Sequence, residues 1–446
     1  MAGSDSKRVV TQFHFKFDTG DTELDEAFGT YFTSIRIINS MRAIWPIIQI
    51  RFNCDNQVFI EKDVFGATDI DFIVWWTGDT GDDSAQYITY TLLYLEANVE
   101  LPPKEEHNDP MKSAKETQKR YINVSYLAKP AYLTMSSFVN RLWEEETQMR
   151  PVDFVYDILE KCGITDYRIL EDGVNQDTVQ QMVVPPMTLR ASVDYINQNY
   201  GIYSGPMLRY ANYAGQFLMW DVKQMYEKHK DSPWITFHKS PSHFETPGLF
   251  EKINLLAIQT DDNFVTYDNC ETLHYGNANV IRYGYDNIYI YHPHEDIAQF
   301  MKIDLEKIVN DFGLWHNDPL LKFDKDLKNR KLYFSDMQGF ETGNGYSTNY
   351  SDFILSQDMS TCFQDSAAVK FNLYRNIKFP LCSKIGEVLY FQPYSDHEKF
   401  PKSNFEGAYM VSDSDVIFTK EENGKPVDNI NAMATLIGYR TAQSKD

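Results

Sequence analysis

The sequence predicts a mainly β chain that carries an α/β insertion. Three observations predict it. Aromatic residues make up 15% of the chain, with 29 Tyr and 29 Phe, and both types favour half-buried pleated surfaces. Runs that alternate apolar and polar residues dominate the first 130 residues and the last 60. Helical periodicity, in contrast, concentrates between residues 135 and 235.

The elements follow in order. In RVVTQFHFKF, Phe13, Phe15 and Phe17 alternate with His14 and Lys16, the period of a strand buried on one side. Residues 30–52 are apolar and β-branched, and Pro46 opens a strand over Ile47–Phe52. Residues 58–60, 70–76 and 86–96 continue the pattern, with polar turns between the runs. The first hundred residues therefore read as a small antiparallel barrel or sandwich. Residues 101–119, polar and Pro-containing, are a loop, and strand character returns at Tyr121–Tyr126.

The character changes after Thr134. Residues 135–149 read as a short helix. Pro151 opens a second, in which Val152, Val155, Leu159 and Cys162 recur at helical spacing before Gly163. Tyr167–Leu170 is strand-like. Thr188 is a candidate N-cap for a helix through Leu189, Val193, Ile196 and Tyr200, stopped by Gly201. A hairpin follows, turning over Asn212–Gly215 and returning through Phe217–Trp220. Beyond it, residues 236–300 are again strand-like and 301–365 mixed. KIGEVLYFQP reads as one strand, EGAYMVSDSDVIFTK as a strand pair turning at Ser412–Asp415, and AMATLIGYR as a closing strand. No internal repeat is visible.

Composition limits the function. The 446 residues suffice for two to four domains. Hydrophobic residues at 43% and charged residues at 24% exclude disorder throughout. The formal net charge is −22, which argues against wrapping DNA or lying on an anionic membrane. Five cysteines at 54, 162, 270, 362 and 382 form no CxxC pair, so free thiols in a reducing compartment are the simplest account. The N-terminus lacks the apolar core of a signal peptide, and no run of 18 apolar residues exists. The expectation is a chain made and folded in a cytoplasm.

Few constellations suggest chemistry. His292-Pro293-His294-Glu295 supplies metal-ligand types, but without a third His or Cys at paired spacing the simpler reading is a turn. Thr77–Asp83 clusters oxygens without the ordered calcium loop, so a solvated hairpin loop accounts for it. Glu144-Glu145-Glu146 and the scattered Asp–Tyr neighbours permit a glycosidase, yet 64 acids produce such neighbours by chance. GxSxG, HExxH, Walker A and GxGxxG motifs are absent. No catalytic, metal-binding or cofactor-binding residue is assigned, and a non-enzyme is expected.

The order of segments carries more than any one motif. PVDFVYDILEKCGITDYRIL followed by MVVPPMTLRASVDYINQNYGIYSGPMLRYANYAGQFLMWDV resembles the middle part of baseplate central hub proteins of contractile-tailed bacteriophages. It is also similar to the hub portion of type VI secretion spike proteins. Ile385–Leu389 with Glu406–Val411, and then Ala432–Arg440, look like the late strands of the same family. The resemblance implies two tube-type antiparallel β-barrel domains, residues 1–134 and 236–446, with a helix-containing middle domain at 135–235. It also implies a homotrimeric ring that adapts a sixfold tail tube to a threefold central spike and leaves a channel for DNA. The implied partners are a trimeric spike protein, the tail tube protein and baseplate wedge proteins, with DNA only as cargo and no membrane insertion. The implied location is the virion's tail baseplate, assembled in the host cytoplasm. Acids lining the lumen would repel DNA phosphates; acids on the outside would serve solubility. The alternatives are a carbohydrate-active hydrolase and a β-rich receptor-binding tail component.

Overall fold

The computed structural model describes residues 12–40, 46–53, 69–77, 86–100, 121–143, 149–176, 178–179, 182–203, 207–211, 216–221, 236–239, 264–267, 269–275, 287–292, 297–302, 330–332, 367–373, 385, 388–391, 407–420 and 430–442. The first region comprises β1 (Gln12–Asp18), α1 (Thr22–Tyr31), β2 (Phe32–Ser40), β3 (Ile47–Asn53), β4 (Ile70–Thr77), β5 (Gln86–Glu100) and β6 (Tyr121–Ala128). Its strands pair in the order β1-β4-β5-β6-β3-β2, every ladder antiparallel. The alternation in β1 works as expected: Phe13 and Phe17 are buried. Phe15 is half-buried and stacks on Phe72 at 5.7 Å.

The connection after β1 is a helix, not a plain turn. Asp21 caps α1 by accepting from the Glu23 and Leu24 amides, and Asp25 accepts from the Thr19 amide and hydroxyl. Leu24, Ala27 and Phe28 fall at helical spacing and are buried. Phe28 meets Phe52 edge-on at 4.8 Å and lies 5.2 Å from Phe17. The helix thereby fills the concave side of a curled sheet.

The middle region is built from α2 (Lys129–Ser136), β7 (Phe138–Trp143), α3 (Pro151–Lys161), β8 (Tyr167–Ile169), β9 (Met182–Thr188), α4 (Leu189–Tyr200), β10 (Met207–Ala211) and β11 (Phe217–Asp221). The two helices with clear periodicity stand where it places them. In α3, Val152, Val155 and Leu159 are buried, and Gly163 follows at φ 75°, a left-handed angle that suits glycine. The Asp153 carboxylate accepts from the Arg150 amide, closing the first turn. The Thr188 hydroxyl accepts from the Ala191 amide at 3.3 Å, and Gly201 ends α4 at φ 65°. The expected helix at 135–149 is corrected: Pro130 opens α2 earlier, the extended Ser137 ends it, and Phe138–Trp143 pairs with β9 as a strand. Val139 and Trp143, both buried, lie four residues apart, a spacing that a helix and a strand both allow, so the pairing with β9 decides the element.

The third region holds β12 (Thr236–Lys239), β13 (Phe264–Tyr267), β14 (Asn269–Tyr275), β15 (Asn287–His292), β16 (Ile297–Lys302), β17 (Arg330–Leu332), β18 (Ala367–Leu373), β19 (Val388–Phe391), β20 (Gly407–Lys420) and β21 (Ile430–Ala442). Its ladders are mixed: β12 runs parallel to β13 and β19, and β15 parallel to β17, whereas β18 pairs antiparallel with β14 and β21, and β20 antiparallel with β19 and β21. The expected strand pair at 406–420 is also corrected. Gly407–Lys420 is one continuous strand. The polar Ser412-Asp413 step is a bulge against β21, with the register shifting between Val411 and Asp413. Ser and Asp favour turns, but one extra residue in a ladder bends a strand without reversing it.

The hairpin β20–β21 completes the first region. β20 pairs with β2, placing Ile35 opposite Phe418 and Ile37 opposite Val416. Val411, Val416, Phe418, Ala434 and Leu436 are buried in the same core as β1–β6. Phe418 lies 5.0 Å from both Phe13 and Phe15, and β21 comes alongside β1. A second core lies within the middle region, and Leu127, Ala128 and Ala131 carry it up to the end of β6. Among the described residues no helix is long and apolar enough to cross a membrane.

Candidate functional site

The sequence candidates for metal and acid–base chemistry fall mostly outside the described residues. His292 ends β15, paired with Ile297, but Pro293–Glu295 are not among them. Thr77 ends β4, and Gly78–Asp83 lie outside, as do Glu144–Glu146. Among the described residues no group of three or more His, Cys, Asp or Glu could hold a metal ion. Cys162 is a free, half-buried thiol at the end of α3, and burial raises its pKa.

Several of the described carboxylates serve as structural ties. On the outer face of β2 and β20, Arg36 donates to both oxygens of Asp415, at 2.8 and 2.5 Å. That hydrogen bond raises the Arg36 pKa above its ordinary value. Asp413, two residues earlier on the same face, accepts from the Ser40 hydroxyl at 2.5 Å and from the Ser412 hydroxyl at 2.6 Å. In the middle region Arg150 donates to Asp153 at 2.8 Å and to Glu171 at 2.9 Å. Tyr156 donates to the other Glu171 oxygen at 2.9 Å. Asp157 gathers Trp143 at 3.0 Å, Arg141 at 3.1 Å and Lys161 at 2.9 Å. Each of these acids is neutralised or hydrogen-bonded where it stands. Such an arrangement locks elements together.

Buried phenols mark the same interior. The Tyr203 hydroxyl sits between two backbone carbonyls, 2.8 Å from that of Leu170 and 3.1 Å from that of Met219. It thereby ties the loop after β8 to β11. Burial holds its pKa above the ordinary tyrosine value, helped by Tyr156 and Asp221. Burial likewise pushes Tyr200 up to about 12. These groups stay neutral and serve packing.

The surface feature that stands out is apolar. Along β7 the side chains alternate: Val139 and Trp143 point into the core, while Phe138 and Leu142 are 75% and 51% exposed. Val183 sits opposite Leu142 in the β7–β9 ladder and is 49% exposed. On α2, Tyr132 and Met135 share one exposed face, three residues apart, while Ala131 and Thr134 are buried beneath. Tyr132 and Met135 on α2, and Phe138, Leu142 and Val183 on the two-stranded ribbon, are thus exposed apolar side chains of the middle region. Among the described residues, Lys129 pairs with Asp69 at 2.5 Å and Arg141 with Asp157 at 3.1 Å. Sequence reading missed these side chains because exposure is not written in composition. The alternation in Phe138–Trp143 was the one available signal for the ribbon.

Comparison with known proteins places the fold. No protein-family model matches the sequence, and no curated protein matches it. Solved structures do. The chain is similar to the tail protein from Neisseria meningitidis MC58, with a TM-score of 0.52 at 8% identity, covering 96% of this chain and 97% of that one. It is similar to the 43 kDa tail protein of prophage MuSo2 from Shewanella oneidensis, with a TM-score of 0.51 at 8% identity, covering 97% and 98%. The chain therefore shares one mostly β fold with these two proteins along almost its whole length.

Proposed function

We propose that this chain is a structural component of a bacteriophage tail, and specifically the central hub of a contractile tail's baseplate. In this reading three copies close into a ring. The ring adapts the sixfold tube to a threefold spike, and DNA passes through its centre. Residues 1–134 and 236–446 supply two tube-type barrels, and 135–235 the unit between them. The partners are the spike, the tube protein and the wedge proteins, and the chain works without catalysis at the baseplate of the virion.

One observation carries the reading: the fold overlaps two tail proteins over 96% and 97% of this chain and 97% and 98% of theirs. The overlap is of an entire architecture, not of a common module that serves unrelated tasks. The order of sequence segments points the same way. Asp153, Asp157, Glu171, Asp413 and Asp415 add support, since they tie elements together. Charge suits the role as well, because a net −22 per copy gives a ring that repels the phosphates passing through it.

Sedimentation equilibrium of the purified full chain tests the reading. The expected mass is that of three 52.0 kDa chains. A single-chain mass at every concentration, with or without a trimeric spike present, would remove the hub assignment.

A further inference from the structure

We propose that the bulge at Ser412-Asp413 is a joint between two parts of the large sheet, and that Asp413 is the positioning residue that fixes its angle. Strand register and hydrogen bonds carry this, whatever the number of copies in the assembly.

The joint lies where β20 changes partners. Along one edge, Gly407–Met410 pair with β19 and Asp413–Thr419 pair with β2. Val411 and Ser412 fall between the two ladders. Along its other edge β20 stays with β21, and there the register slips, once between Ala408 and Tyr409 and again between Val411 and Asp413. In β21, Ala434–Tyr439 also pair with β18. One hairpin therefore belongs to the curled sheet through β2 and to the third region through β18 and β19. An extra residue in a ladder bends a strand and increases its twist. A bulge at the handover thus sets the direction in which the hairpin leaves the curled sheet. Gly438 stands opposite Val411, and a Cβ there would lie 3.1 Å from the Tyr409 Cβ, so the strands approach closely at the bend.

One carboxylate holds this bend. Asp413 accepts from the hydroxyl of Ser40, the last residue of β2, at 2.5 Å. It accepts from the hydroxyl of Ser412, the unpaired residue of the bulge, at 2.6 Å. The same Ser412 hydroxyl lies 3.2 Å from the Ile437 carbonyl of β21. Ser412 is buried, so the bend is enclosed and not a loose loop. A hydroxyl has one proton to donate. Removing the carboxylate leaves Ser412 on β21 alone and takes this acceptor from Ser40, which releases the end of β2 from the bend. Asp415, two residues on, has a different place. It pairs with Arg36 across the β2–β20 ladder and spans no handover. With Asp413 in position the two parts of the sheet move as one body; without it the few residues of the bulge become a hinge.

Pulsed electron–electron double resonance on the full chain tests this. Spin labels go at Thr89 on β5 and Glu271 on β14, both exposed, on ketone-bearing residues that leave the cysteines untouched. Labelled chains are diluted into unlabelled ones so that only the pair within one chain is read. The wild type should give one narrow distance distribution. Asp413→Ala should roughly double its width, as a freed hinge would, and Asp413→Asn, which keeps one acceptor oxygen, should widen it less. Asp415→Ala should keep the wild-type width. Circular dichroism checks each fold. If Asp413→Ala does not fold, Ser40→Ala decides instead, because it removes one of the two donors; it should widen the distribution, and a wild-type width would overturn the proposal. An Asp413→Ala protein as narrow as the wild type overturns it too, as does an Asp415→Ala protein that widens equally or a wild type that is already broad.

Discussion

The curled sheet and the middle region reach stability by opposite routes. The middle region gathers its core from residues 127–219, close neighbours along the chain. The curled sheet joins β2 to β20, and the ion pair fastening them links residues 379 positions apart. Local assembly makes a unit whose parts nucleate together. Distant assembly makes a sheet that stays unfinished until the last strands arrive, and long-range pairing of this kind is slow. The distant hairpin also binds the ends of the chain into one body, which suits a part that must keep its shape.

The largest expected effects come from core aromatics. Phe418→Ala and Phe154→Ala should each lose about 3–5 kcal/mol. Their hydrogen-exchange footprints should differ. Phe418→Ala should expose amides in β1 and β2 as well as β20, at both ends of the sequence, whereas Phe154→Ala should expose amides only between about residues 127 and 221, the span of the local core. Identical footprints would erase the contrast.

Alkaline pH sharpens it next. Tyr200 ionises at 10.0 in the unfolded chain and at about 12 in the folded one. Between these values the unfolded state holds fewer protons, so stability falls as pH rises, by about 1.4 kcal/mol per unit for one such phenol. Tyr156 and Tyr203 are shifted the same way. All three belong to the middle region, against Tyr126 in the sheet. Exchange in the middle region should therefore accelerate first above pH 10, with the loss fully reversed on return below it.

Smaller effects follow. Thr188→Ala removes the cap of α4 and should cost about 1 kcal/mol, read by thermal unfolding. Arg36→Ala breaks the Arg36–Asp415 pair, which is partly exposed, and should cost about 1 kcal/mol or less. If Arg36→Ala destabilised more than Thr188→Ala, the β2–β20 seam would depend on charge more than on the buried Ile35, Ile37, Val416 and Phe418.

The same contrast explains what could be read in the sequence. In α3 and α4 the apolar spacing, the Thr188 cap and the Gly163 and Gly201 stops lie within a dozen residues, so local chemistry identifies them. Strand alternation identified β1 and β3–β6 as strands but not their partners, since nothing within β2 names β20. Helix α1 escaped because only Leu24, Ala27 and Phe28 mark its buried face among acids. The bulge at Ser412 looked like a turn because the same residues serve both. The exposed side chains on α2 and β7 escaped for another reason: Phe138 in solvent reads no differently from a buried phenylalanine.

The central claim is that copies of this chain work by closing around a hole. Electron microscopy of the purified full-length protein, averaged without imposed symmetry, tests it most directly. The account predicts threefold particles with an open centre. Compact particles lacking both the threefold axis and the opening would contradict it.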